Sequence, residues 1–146
     1  MGDESMENEE KVIKHLEMTQ AVINRLGSNS FLLKGWSMTV IVATMVLIAR
    51  YDMQNPYIVL AVMFPVLGFW ILDGYFLWQE RLFRQVYDEV RGRSNTDFKM
   101  DVMKHRNKPK CSWWSAVFSV TLTVFYAVEF VFILATFAIV QIEVPV

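Results

Sequence analysis

Three apolar stretches, Phe31 to Ala49, Pro56 to Trp78 and Trp113 to Val140, dominate this chain, and nearly every Lys and Arg falls on one side of them. Each is long enough to cross a hydrocarbon core of about 30 Å at about 1.5 Å of rise per helical residue. The expected fold is therefore all-α: an integral membrane protein with three transmembrane helices, in one membrane domain over residues 1–146. No room is left for a soluble enzyme.

Basic loops are retained in the cytoplasm, so the placement of Lys and Arg gives an orientation. Lys11, Lys14, Arg25 and Lys34 precede or open the first stretch. Arg81, Arg84, Arg91, Arg93, Lys99, Lys104, Arg106, Lys108 and Lys110 lie between the second and third, and only Arg50 lies on the other side. The N-terminus and residues 79–112 are expected to be cytoplasmic, the turn at Tyr51 to Asn55 and the C-terminal Val146 external. A multi-pass membrane protein follows.

Composition agrees. Hydrophobic residues make up 54% of the chain and the mean hydropathy is +0.30, high for a soluble domain yet diluted for a wholly membranous one. The net charge of -1 hides an asymmetry: residues 1–30 carry six acids against three bases, and residues 79–112 nine bases against five acids. An acidic start lacks the basic region of a signal peptide, so the first stretch is read as a mature span. The lone Cys111 excludes an intrachain disulfide and fits a reducing compartment. At a membrane boundary it is either an unmodified small residue or a palmitoylation site.

The N-terminal segment reads as a cytoplasmic amphipathic helix over 7–26. Val12, Leu16, Thr19, Ile23 and Leu26 recur at steps of four and three, the seam of a helix that packs on protein or on the membrane surface. Acids crowd its first turn, Gly27 marks its end, and Ser28, Asn29 and Ser30 offer an N-cap to the first span. The second span continues as a cytoplasmic extension, because Leu82, Phe83, Val86 and Val90 stay on one helical face as far as Arg91. One helix from Pro56 to Arg91, ended by Gly92, would reach roughly 20 Å beyond the bilayer. Pro65 with Gly68 predicts a kink within it. Phe98 to Val102 alternate as a short half-buried strand does, either to pair with another subunit or by accident.

No catalytic constellation, metal-ligand set or phosphate loop is present, so neither enzyme activity nor a metal or other cofactor is expected. A membrane enzyme built from Asp73, Glu129 and His105 is the remaining catalytic alternative. Ionisable groups inside spans carry more weight, since a charge at bilayer depth costs several kcal/mol unless it meets water or a partner. Lys34 and Asp73 lie at matching depths on oppositely directed spans, which predicts an interhelical ion pair. Glu129 sits near the middle of the third span with no basic residue at its depth. In a symmetric oligomer it would form a ring, with Thr121 and Thr136 completing a polar stripe along an ion pathway. Alternatively it is a protonated acid bonding Ser37, Thr39 or Thr44 of the first span.

The basic residues Arg81, Arg84, Arg91, Arg93, Lys104, His105 and Arg106 also admit two readings. They touch anionic lipid headgroups, or, once repeated around an oligomer, they form a cationic collar that binds phosphates, with Trp78, Tyr87 and Phe98 able to stack bases.

The stretches NSFLLKGW (Asn29 to Trp36) and YFLWQERLFRQVYDEVR (Tyr75 to Arg91) resemble a group of small bacterial three-span proteins, the membrane effectors of antiphage defence systems such as Hailong. The resemblance covers roughly the first 105 residues. It implies a homo-oligomeric ion channel for antiviral defense, gated at its cytoplasmic face by a nucleotide or oligonucleotide signal or by a partner such as a nucleotidyltransferase encoded nearby. It also favours the phosphate-binding reading of the basic segment. The rival is a non-conducting anchor or adaptor for a cytoplasmic enzyme.

Overall fold

A computed structural model describes residues 2–51, 57–108 and 111–143. The elements in chain order are α1 (Gly2–Tyr51), α2 (Tyr57–Ala61), α3 (Met63–Arg91), α4 (Trp113–Val117) and α5 (Val120–Glu143), with a short 3-10 helix at Met103–His105. The fold is all-helical as expected. Three stretches, Glu4–Ile48, Tyr57–Arg91 and Val120–Gln141, are long and apolar enough to cross a membrane. Pro56, most of the expected external turn, Lys110 and Val146 lie outside the described residues.

Several expected boundaries are corrected. The break at Gly27 to Ser30 does not exist, because α1 runs unbroken through it. A glycine inside a helix costs only about 1 kcal/mol relative to alanine, which strong flanking sequence and packing offset. The second helix is interrupted at Val62, one turn before Pro65, and is regular through Gly68. Pro65 has no N–H for the Ala61 carbonyl, and Val62 instead donates to Val59 O at 3.3 Å. The third apolar stretch is split between α4 and α5 at Phe118 and Ser119, so the long helix begins at Val120 rather than Trp113. Ser119 ends the break by accepting, through its carbonyl, the Thr123 N–H at 2.9 Å. No strand forms at Phe98 to Val102 among the described residues, and Phe98 adopts a positive φ of 57° that regular pairing does not use.

The chain divides into two compact units, Met1–Ser30 with Tyr75–Ala116, and Phe31–Gly74 with Val117–Val146. In the first, the seam of α1 is occupied by this chain's own α3. Val12 packs with Val86 and Val90, and Leu16 and Val102 close the cluster. The seam therefore does not require a second subunit. Trp78 Nε1 donates to Cys111 O at 2.8 Å and ties the end of the loop to α3.

In the second unit, Ile41, Val59, Val66, Leu122, Tyr126 and Ile133 form the buried interior. Its surface is apolar: Phe64 is 84%, Val120 80% and Phe31 77% exposed. A water-facing surface of that kind would aggregate, whereas lipid covers it at no cost. Gly74 supports a close approach within this unit. A Cβ there would lie 2.5 Å from Val117 Cγ2 and 3.0 Å from its Cα, while Trp70 Nε1 donates to Val117 O at 3.0 Å. Gly74→Ala is expected to lower stability by about 1–3 kcal/mol through overpacking. Gly68→Ala, which meets nothing within 4 Å, should be neutral or slightly stabilising. Thermal unfolding of both variants in the same detergent checks the contrast.

Candidate functional site

The second unit concentrates its polar groups in one buried cluster. Lys34 and Ser37 are three residues apart on α1, and Tyr126 and Glu129 three apart on α5, so each pair shares a helix face. Asp73 of α3 joins them. Lys34 Nζ lies 2.5 Å from Asp73 Oδ2, with the lysine side chain 18% exposed and the aspartate fully buried. Tyr126 Oη donates to the same Asp73 oxygen at 3.2 Å. Lys34 Nζ also stands 5.9 Å from the centroid of the Phe125 ring, whose negative face favours a cation. The arrangement gives a buried carboxylate both a counter-charge and a neutral donor.

Glu129 is 6% exposed and accepts a hydrogen bond from Ser37 Oγ at 2.6 Å. Thr39 and Thr44 instead bond the carbonyls of Gly35 and Val40 in their own helix. The other carboxylate oxygen, Oε1, has no hydrogen-bond partner among the described residues. Glu129 lines two grooves: one of about 570 Å³ that includes Lys34, Thr121 and Val124, and one that includes Met38, Val42 and Phe132. Thr121 is thus brought to Glu129, while Thr136 Oγ1 bonds Phe132 O at 3.0 Å and does not line either groove.

The basic residues of the first unit are largely engaged. Arg84 bonds Glu80 Oε1 at 2.7 Å, and Arg81 donates to Ser115 O at 3.0 Å. Glu89 gathers Arg93, Lys104 and the buried His105, with Lys104 Nζ at 2.5 Å and His105 Nε2 at 3.1 Å. The Lys104 hydrogen bond foremost, with help from Arg93, holds the Glu89 carboxyl down to about 2. Arg91 and Arg106 are exposed, and no side-chain bond joins either to another described residue. Arg93, Lys104 and His105 fasten loop to helix through Glu89.

One such fastening had no signal in the sequence. His15 is fully buried, its Nδ1 lies 2.6 Å from Thr96 Oγ1, and its ring lies 5.6 Å from that of Phe98. Burial pushes the imidazole below its ordinary value of 6.5, aided by Arg93 and opposed by Asp97. A histidine held neutral in the fold binds a proton more readily when unfolded. The stability it contributes is complete above about pH 6.5 and falls as pH drops below it. The hydrogen-exchange protection of residues 93–102, taken relative to the intrinsic rate at each pH, should fall between pH 7 and 5.5, and His15→Gln should flatten that dependence.

No group of His, Cys, Asp and Glu among the described residues is arranged to hold a metal ion. No protein-family model, curated protein or solved structure matches the chain.

Proposed function

We propose that this chain is a multi-pass protein of the bacterial cytoplasmic membrane, with its N-terminus inside, that assembles with copies of itself into an ion channel. In this reading it is not an enzyme but a growth-arresting effector of antiphage defence. Its cytoplasmic side, formed by the amphipathic start of α1 and the extension of α3, responds to a nucleotide or oligonucleotide signal or to a partner such as a nucleotidyltransferase encoded nearby. The carrying observation is Glu129: a buried carboxylate in an apolar helix, with one oxygen unpartnered among the described residues and Thr121 in the same groove. An acid in such surroundings is costly unless it meets water, an ion or a donor from another subunit. Three helices are too few to enclose an aqueous path, so conduction requires several chains.

A membrane-potential dye in expressing cells tests the reading. Wild-type chain in the membrane should depolarise the cells and stop their growth, and the two effects should share one time course. Growth with an intact potential, at the same membrane abundance, would sink the channel reading. The hydrogen bond from Ser37 to Glu129 favours a second reading, a non-conducting anchor for a cytoplasmic enzyme in which Glu129 is a satisfied structural acid.

A further inference from the structure

We propose that the first unit carries a binding pocket for the phosphate-bearing headgroup of an anionic phospholipid, between α3 and the loop that leads into α4. The pocket has a volume of about 590 Å³, and Trp78, Trp113, Trp114, Arg106, Lys108 and Ser112 are among its lining residues. Among the described residues, no Asp or Glu lines it. The two cations among its described lining residues therefore face no described counter-charge: Arg106 is bonded to no described side chain, and Lys108 Nζ is held 2.8 Å from the neutral Gln85 Oε1. Trp78 is fixed as a wall by its bond to Cys111 O. Trp113 and Trp114 meet edge to face with centroids 4.7 Å apart, which leaves Trp114 64% exposed.

Cations beside unshielded aromatic rings, without acids, select an anion that also has an apolar part. Bare phosphate would use the cations and waste the rings. Position along the chain favours lipid as the source. Trp78 ends the apolar stretch of α3, and Trp113 and Trp114 come just before α5, so the pocket belongs to segments adjoining apolar helices. Tryptophan prefers the headgroup level of a bilayer, and basic residues beside it draw anionic lipid. The site goes beyond the channel reading and does not depend on it: an anchor would use it equally.

The test is tryptophan quenching in the purified full-length protein in dodecyl maltoside, titrated with phosphatidylglycerol or phosphatidylcholine carrying brominated acyl chains. Phosphatidylglycerol should quench at roughly tenfold to thirtyfold lower mole fraction than phosphatidylcholine. Each basic residue near an anionic headgroup is worth about fivefold, so Arg106→Gln with Lys108→Gln should shift half-quenching by roughly tenfold to thirtyfold and erase the preference. Arg25→Gln, exposed on α1, should leave it intact. An unchanged preference in the double variant would overturn the site. Reversal of the quenching by equimolar glycerol phosphate would overturn the lipid assignment and make the ligand a free phosphate ester.

Discussion

Lys34→Met is expected to lower the unfolding free energy of the protein in detergent by about 3–5 kcal/mol, the largest effect of any single substitution outside the aromatic interior. The reason is Asp73. Its side chain has no exposure, and Lys34 is the cation at 2.5 Å. Removing the lysine takes its positive charge away from a buried carboxylate that keeps the Tyr126 hydroxyl at 3.2 Å. The double variant Lys34→Met, Asp73→Leu should recover most of the loss, because apolar residues of similar volume replace a buried pair at little cost. Circular dichroism melting of the two variants and wild type separates these outcomes. Equal midpoints for wild type and Lys34→Met would mean that the lysine head draws its stability from solvent rather than from Asp73.

The second large effect is on conduction. Glu129→Gln keeps the size of the side chain and the acceptor for Ser37 Oγ while removing the charge, so the bond at 2.6 Å can persist. If the groove containing Thr121 opens onto the ion path, loss of the carboxylate removes the group that concentrates cations there. Conductance should fall several-fold or cation selectivity should weaken, with the oligomer intact on size exclusion. Ser37→Ala is the informative companion. It frees the second carboxylate oxygen and should alter conduction in the direction opposite to Glu129→Gln.

The apolar helices were legible because length and hydropathy alone decide them, and the Lys34 and Asp73 match followed from their depths on opposed helices. Breaks were not legible. Ser119 lies inside an apolar run, where a single serine reads as tolerated, and its effect depends on Gly74 and Trp70 packing against Val117. Gly27 misled in the other direction, since its weak helix propensity is overridden by its neighbours. Tyr126 escaped notice because an aromatic inside an apolar helix signals packing, and only the position of Asp73 gives its hydroxyl a task. His15 and Thr96 are 81 residues apart, and no periodicity connects a helix seam to an irregular loop. The spacing of Glu80 to Arg84 and of Glu89 to Arg93 was visible as i, i+4 pairing.

Planar-bilayer recording of the purified wild-type chain tests the central claim most directly. The account predicts discrete, cation-selective openings whose conductance is reduced in Glu129→Gln and whose probability changes when an oligonucleotide is added to one side only. A bilayer that stays silent while carrying verified, folded, oligomeric protein, with and without the oligonucleotide, would contradict it.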